Sequence, residues 1–525
     1  MTLQAGQATW DETFDVVVVG YGFAGGAAAI EAHDRGARVL LVEKNVDPGG
    51  TSICSAGGIR VAKDAGDALA YLEKTNAGTA PRDTLQALAE GMATITPWIQ
   101  ELAKAAGAEA IVNWMPGNYP FPGFLTFGFL SIAPIPGQDL QADYPRARGL
   151  RGGTRIFTVV DRNVKKRGIP VRLGCRATRL VRTGERTIDG VVLSNRDGST
   201  TRVRARGGVI LATGGFEGSE SMKAQYWQGK PVLPQAYRLN TGDGVRMAQE
   251  VGADLWHMWH YHGSYGMRLE GYPFGMRLVK LPDWIPGGED LEFDMPAFFR
   301  ASTDLAMPWI VVDQRGRRYM NEYPPYVQDT GHRDMEPVDA TTQKYLRIPS
   351  WLVLDQAGLD RGQLGLATSN DPEAHYEWSP DNRKEIENGI LKRADTLGGL
   401  AAHIGCEAAA LEETVARWNA FCAAQADPDY GRPPKSLVPL GSPPYYTTAL
   451  WPMVGNTQGG PVHDARNRVL NPFGEVIEGL YEAGELGSVF GHLYLSGGNL
   501  AECFVGGRLA ATEASTRARS PREGA

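Results

Sequence analysis

The stretch Phe14–Lys44, FDVVVVGYGFAGGAAAIEAHDRGARVLLVEK, decides the fold. Val16 to Val19 form an unbroken apolar run, the texture of a strand buried on both faces of a parallel sheet. Gly20, Gly22 and Gly25 follow in G-x-G-x-x-G spacing. Phe23 and Ala24 lie inside that motif as expected cofactor contacts. An alanine-rich helix follows it, and a second apolar strand, Val39–Val42, ends in Glu43, with Lys44 a further expected contact. Each part has a mechanical task. Gly20 permits the tight turn, Gly22 lets a pyrophosphate approach the backbone, and Gly25 lets helix and strand pack closely. The helix N-terminus offers unpaired N–H groups and partial positive charge to phosphate. Glu43 lies 18 residues after Gly25, where an acid can hydrogen-bond a ribose diol. The unit predicts dinucleotide binding.

Working outward, residues 1–13 read as a loose leader. Pro48–Gly58, PGGTSICSAGG, is a loop of small residues (Gly50, Thr51, Ser52, Gly57 and Gly58 among them) that offers N–H groups and hydroxyls without bulk, as a phosphate or a flat heterocycle edge requires. Residues 65–107 have helical periodicity, with Pro97 expected to begin or kink a helix. Asn113–Gly137 is aromatic and broken by five prolines. It reads as a loop packed over an apolar ligand, with Tyr119 its inward polar group. Segments 169–181 and 189–195 read as paired strands, and Gly207–Gly215 as a buried strand ending in Thr213, Gly214 and Gly215, close to the same ligand. From about 217 to 440 the texture changes. His257, His260 and His262 lie among aromatic residues without a Glu or Cys partner, which favours packing or an aromatic pocket over a metal site. Near the C-terminus Gly484 and Glu485 lie in YEAGE, and Gly497, Gly498, Asn499 and Leu500 precede a helix, a second phosphate- or flavin-facing N-terminus.

Both ends of the chain thus form cofactor-binding elements around an insertion. The fold class expected is α/β: a Rossmann-like FAD-binding domain from residues 1–220 and 445–525, with an inserted α+β cap domain, residues 221–444, that binds substrate where it meets the cofactor. The composition agrees. The chain has 525 residues, 22% charged and 42% hydrophobic, and a net charge of −7, which argues against nucleic acid as the main partner. Five dispersed cysteines favour reduced thiols and a cytoplasmic location. No secretory leader is read at the N-terminus, and no apolar run reaches the roughly 18 residues of a membrane span.

The ordered set GYGFAGGAAAIEA, PGGTS, ATGGF, TGDGVRMA, GRRYMNE, TQGGPV, YEAGE and GGNLAE resembles the fumarate reductase/succinate dehydrogenase flavoprotein superfamily over nearly the whole chain. The resemblance implies FAD extended across the Rossmann-like domain, with further contacts at Ala177 and Asp243. It also implies chemistry that makes or removes a C–C double bond by moving a hydride to or from flavin N5 and a proton to or from a protein group. No His or Cys tether of the family is found, so non-covalent FAD is expected. Soluble fumarate reductases of this superfamily carry Arg, His and Arg where this chain has Tyr326, Asn456 and Leu495. A dicarboxylate in an apolar site without cations is strongly disfavoured.

The replacements resemble the 3-ketosteroid dehydrogenases instead. N-E-x-x-P-Tyr ends at Tyr326, Y-x-x-x-G is Tyr494 with Gly498, and Ser496 resembles the Δ4-(5α) subgroup more than the Δ1 subgroup. The resemblance implies Tyr326 as acceptor of a ketone's α-proton, Tyr494 and Ser496 as carbonyl ligand and proton relay, and the Gly498 N–H as a second donor, with the tyrosine roles open to exchange. Tyr119 resembles a further active-site tyrosine. A tyrosine base needs its pKa, ordinarily about 10, lowered by neighbours. The substrate expected is a small apolar ring ketone and the electron acceptor is unassigned. A single-ring cyclohexanone-type desaturase, an enone or enoate reductase running in reverse, and a flavin-binding protein without ketone chemistry are the alternatives.

Overall fold

The computed structural model describes residues 9–144, 152–278, 307–323, 326–369, 371, 373–441 and 443–520. Strand Glu12–Val19 lies in the middle of an eight-stranded sheet, so the chain is already in regular structure inside the segment read as a leader. It pairs in parallel with Val39–Val42 on one side and with Thr200–Leu211 on the other. Val476–Glu482 joins Thr200–Leu211 from the far end of the sequence, also in parallel. Val16, Val17 and Val18 have no exposed surface, as a strand covered on both faces requires.

Helices cover one face of this sheet; on the other, Val17 and Val19 share a core with Leu180 and Val191 of an antiparallel strand pair and with Val245 of helix Asp243–Glu250. Phe23–Asp34 follows the first strand, and the C-terminal helix Gly498–Arg519 packs against it through small residues. A Cβ at Gly507 would stand 2.8 Å from Ala24 O and 3.2 Å from Ala27 Cβ. Arg176–Gly184 and Thr187–Ser194 form the antiparallel pair expected from the sequence.

Residues 65–107 are helical, as Ala65–Asn76, Arg82–Thr94 and Thr96–Ala105, with Pro97 in the first turn of the third. The proline-rich segment read as a loop is partly sheet. Ala110–Trp114 and Phe127–Ile132 pair antiparallel with each other, and Phe127–Ile132 also pairs antiparallel with Ile59–Ala62. The prolines fall between or beyond the two strands, where they cost no ladder hydrogen bond.

A second eight-stranded sheet, mostly antiparallel, contains Trp309–Val312, Ser350–Asp355, Tyr445–Val454, Tyr265–Met267, Met276–Leu278 and Gly365–Leu366. Tyr445–Val454 pairs with Ser350–Asp355 and Tyr265–Met267. The sequence reading placed this strand on the nucleotide side of a boundary at 445. Its hydrogen bonds place it in the sheet of the insertion, so the chain leaves that sheet near residue 454.

In this second region Glu322, fully buried, accepts from Arg318 at 2.9 and 2.7 Å, from the Val311 N–H at 3.1 Å and from Arg432 at 3.5 Å. Burial would push its carboxyl up, but the guanidinium groups outweigh this and hold it below the usual range. Removing one partner of a buried pair leaves uncompensated charge. Glu322→Ala is therefore expected to lose about 3–5 kcal/mol of stability in urea unfolding. Because the folded-state pKa is lowered, the carboxylate contributes fully above the unfolded value of about 4.3 and loses its contribution as pH falls through the lower folded value. The stability gap between wild type and Glu322→Gln should narrow below about pH 4; a gap independent of pH would contradict the pairing.

Candidate active site

A cleft with about 770 Å³ of empty space, counting its open mouth, runs along the C-terminal ends of the parallel strands. Of the residues expected to hold the cofactor, Gly20, Gly22, Phe23, Ala24, Glu43, Lys44, Gly50, Thr51, Ser52, Ala177, Thr213, Gly214, Asp243 and Glu485 line it. Gly20 has φ +105°, and a Cβ there would meet Ala212 O at 2.2 Å, so the turn admits only glycine. The Glu43 carboxylate accepts from the Tyr21 N–H and the Asn45 N–H, both at 2.9 Å, and still presents lone pairs to the cleft. Lys44 reaches Thr241 and Asp243, and Arg176 also pairs with Asp243. Burial opposes the Asp243 charge, yet these two cations hold its carboxyl below the usual range.

Several expected positions do not line this cleft. Gly25 lies under the turn, where a Cβ would stand 1.8 Å from Gly20 O. Gly57 packs on Gly152 and Gly58 on Phe129. Gly215 packs against Thr457 and Glu485, and Gly484 against Ala24 and Cys503. Leu500 is packed against the apolar core. Tyr21, Asn45, Arg176, Tyr237, Asn240, Met247 and Cys503 line the cleft without having been anticipated. They come from loops, from the strand that starts at Arg176 and from two helices, Asp243–Glu250 and Gly498–Arg519, which only the folded chain brings to the strand ends.

The cleft suits FAD on its own evidence. A glycine turn admits phosphate, an acid stands at a ribose position, and the buried Thr213 Oγ1 on the wall has no hydrogen-bond partner.

Beyond the Glu485 end the tyrosines converge. Glu485 accepts from the Thr457 N–H at 2.9 Å, which ties the cleft to Asn456 and its neighbours. Tyr119, Tyr326 and Tyr494 are all buried. The rings of Tyr119 and Tyr326 meet edge to face at 6.3 Å, and His262 lies 4.1 Å from Tyr494 and 6.1 Å from Tyr326 between ring centres. The Tyr326 hydroxyl lies 3.4 Å from His262 Nε2. His262, read from the sequence as an aromatic-pocket or packing residue, is thus part of the cluster. His257 and His260 face main-chain carbonyls instead.

The three tyrosines are not interchangeable. The Tyr494 hydroxyl accepts from the Asn499 N–H at 3.3 Å, so its own proton is left to donate. Burial holds its pKa well above the ordinary value, so the hydroxyl keeps its proton and can donate it to a hydrogen bond. The Tyr119 hydroxyl donates to Asp329 Oδ2 at 2.8 Å, and burial with that carboxylate raises it too. The lowered tyrosine pKa expected from the sequence is found at neither.

The Gly498 N–H, expected as a carbonyl donor, is already bonded to Leu495 O at 2.7 Å; the amide that meets a tyrosine is that of Asn499. Ser496 is clamped by its backbone, its N–H on Asn118 Oδ1 at 2.7 Å and its carbonyl on Arg60 Nε at 2.8 Å. Asp329, not anticipated from the sequence, is fully buried. It also accepts from the Tyr494 N–H at 2.9 Å and has His260 at 3.8 Å and Arg333 at 3.9 Å. Of the nearby cations, Arg60 donates to the carbonyls of Ser496, Met115 and Pro116, and Arg333 to that of His492. Among the described residues no group of three or more metal-ligating side chains occurs, and no helix is long and apolar enough to cross a membrane.

A parallel sheet with a glycine-turn cleft and a capped aromatic site defines a flavin-dependent oxidoreductase. Residues 15–274 and 294–500 match the FAD binding domain family, and the chain belongs to that family. It is 28% identical to a 3-oxosteroid 1-dehydrogenase of Mycobacterium tuberculosis, over 97% of this chain and 99% of that one. It is 27% identical to a fumarate reductase (cytochrome) of Shewanella frigidimarina, over 96% of this chain and 77% of that one. In fold it is similar to the 3-ketosteroid delta1-dehydrogenase of Sterolibacterium denitrificans, with a TM-score of 0.79 and 24% identity over 96% of this chain and all of that one. It is also similar to the 3-ketosteroid-delta4-(5alpha)-dehydrogenase of Rhodococcus jostii RHA1, with a TM-score of 0.65 and 21% identity over 98% of this chain and all of that one.

Thr213→Val removes the unpartnered hydroxyl on the cleft wall. FAD titrated into the apoprotein should bind about fivefold more weakly, the loss of roughly one hydrogen bond, with the melting temperature of the apoprotein unchanged. Equal affinity would show that Thr213 is not a ligand.

Proposed function

We propose that this protein is a dehydrogenase that introduces a C=C bond α,β to a ring ketone, of 3-ketosteroid type. The observation that carries the reading is a buried cluster in which the His262 ring meets both the ring of Tyr494, whose hydroxyl is fixed as a donor, and the ring of Tyr326. A ketone oxygen placed on Tyr494 Oη receives a hydrogen bond that strengthens as the enolate forms. The α-carbon loses its proton to Tyr326 Oη. When bound, FAD supplies the acceptor for the β-hydrogen and its electron pair. Tyr119 serves this site through Asp329, which also holds the Tyr494 backbone. Gly20, Glu43, Thr213 and Asp243 would hold the cofactor, and non-covalent attachment is part of the reading. The cap, drawn from residues 221–444 and extended by strand Tyr445–Val454, would cover the substrate.

The uncharged side chains at Tyr326, Asn456 and Leu495 argue against a dicarboxylate, and the nearby guanidinium groups of Arg60 and Arg333 donate to main-chain carbonyls. A relative named fumarate reductase at 27% identity therefore does not carry its substrate to this chain. For the position of the new bond, Ser496 supports the Δ4-(5α) reading, with its hydroxyl as proton relay, and the name of the mycobacterial relative supports Δ1.

Anaerobic mixing of the flavoprotein with a 5α-3-ketosteroid, 4-androstene-3,17-dione, cyclohexanone and succinate, followed by flavin absorbance, tests the reading. Bleaching by the 5α-steroid alone gives Δ4 chemistry, and bleaching by the 4-ene gives Δ1. Bleaching by cyclohexanone alone gives a single-ring site. Bleaching by succinate overturns the reading. Tyr326→Phe should slow bleaching by at least about a hundredfold, the usual share of a general base.

A further inference from the structure

The reading above leaves a chemical gap. A buried tyrosine is a poor base unless something takes its own proton, and burial with nearby carboxylates raises, not lowers, the pKa of the neighbouring Tyr119 and Tyr494. The side chains behind Tyr326 supply what is missing. Asn499 Nδ2 has three acceptors within reach of its two hydrogens, Glu502 Oε2 at 2.8 Å, Gln458 Oε1 at 2.9 Å and Ser488 Oγ at 3.1 Å. Its Oδ1 is left as an acceptor and takes Asn456 Nδ2 at 2.9 Å and Gln458 Nε2 at 3.2 Å. With its amide nitrogen so engaged, Asn456 turns its Oδ1 to His262 Nδ1 at 3.1 Å. A carbonyl oxygen only accepts, so the hydrogen of the neutral imidazole is on Nδ1. The lone pair is then on Nε2, the atom 3.4 Å from the Tyr326 hydroxyl. Glu502 is itself fixed by the Val489 N–H at 2.8 Å and by Ser488 Oγ. The amides of Asn499 and Asn456 therefore set one histidine tautomer, in front of a Glu502 carboxyl that burial pushes up to about 8.

We infer that His262 is the proton relay of Tyr326: as the substrate's α-proton moves to Tyr326 Oη, the phenolic proton moves to His262 Nε2, with the tautomer held ready by Asn456. The inference rests on the proposed ring-ketone chemistry and deepens it. The balance is simple. The Cα–H bond breaks and its electron pair enters the enolate. One O–H bond forms and one breaks at Tyr326, and one N–H bond forms at His262. The tyrosine never has to exist as a free tyrosinate. The imidazolium so formed faces the buried Asp329 carboxylate, which His260 and Arg333 hold well below the usual range against the effect of burial. In the resting state burial pushes the His262 pKa down to about 4, so the ring is neutral and able to accept. His262 touches neither the ketone carbon nor the cofactor in this scheme. It is a positioning and relay residue acting through Tyr326.

The test isolates the proton step from turnover. In dithionite-reduced holoenzyme the flavin has no oxidising capacity. Exchange of ring α-hydrogens of a 5α-3-ketosteroid with D2O, followed by NMR, then reports proton transfer alone. His262→Phe should lower this exchange at least a hundredfold, while FAD content and steroid affinity stay within about threefold of wild type. His262→Gln, which keeps a polar side chain that cannot carry the proton, should lose as much. Asn456→Leu keeps the histidine and removes only the tautomer lock, and should slow exchange about tenfold. The 15N spectrum of labelled wild-type protein should show His262 protonated at Nδ1, and Asn456→Leu should lose that signature. Wild-type exchange rates in the His262 variants, with exchange abolished in Tyr326→Phe, would overturn the relay and leave the ring-ketone reading standing. A resting His262 protonated at Nε2 would overturn it too. No exchange of any ring ketone by the wild-type protein would overturn the reading on which the relay rests.

Discussion

Two helices from opposite ends of the chain approach so closely that no extra carbon fits between them. Gly507 of the C-terminal helix lies against Ala24 and Ala27 of the first helix, and Gly25 of that helix lies against Gly20. This small-residue contact stacks the first helix, the glycine turn and the last helix in one block. It brings the start of the last helix, Gly498 and Asn499, within reach of the parallel strand ends. The cofactor cleft and the tyrosine cluster both inherit their positions from it. Interiors packed to this density transmit even a methyl group as a displacement.

Around that block the site divides its labour by hydrogen-bond direction. The Tyr494 hydroxyl takes the Asn499 amide and is left as a donor, while the Tyr119 hydroxyl gives its proton to Asp329. Burial alone would make all such phenols weak acids. Their different environments, and not their shared chemistry, distinguish them. Asp329 is the centre of this arrangement, because the same oxygen holds Tyr119 and the backbone of Tyr494.

Much of this was legible in the chain. The Phe14–Lys44 unit, the Gly207–Gly215 strand and the paired tyrosines depend on local spacing, and spacing survives in sequence. Tyr445–Val454 is an apolar strand that by its sequence fits either sheet, and only its partners assign it to the second one. The Gly498 amide was misread because a glycine before a helix says nothing of what its N–H already bonds. Asp329 carried no local signal. An acid three residues after Tyr326 looks like any polar loop residue until Tyr119, 210 positions away, closes on it. His262 was weighed as a metal ligand by its spacing, whereas its role depends on Asn456, 194 positions distant.

The strand that leads out of the second sheet to the tyrosine cluster also bears on how such proteins diversify. Tyr445–Val454 runs from the middle of the insertion's sheet directly into Asn456 and Thr457, whose contacts are His262 and Glu485. The connection is a continuous run of paired backbone, not a flexible linker. The insertion therefore cannot be exchanged between relatives as a separable cassette cut at its sequence ends. A recombinant that acquires a new cap must acquire residues 445–458 with it, and in doing so replaces part of the wall behind the tyrosines. Substrate range and the chemistry of the site are inherited together.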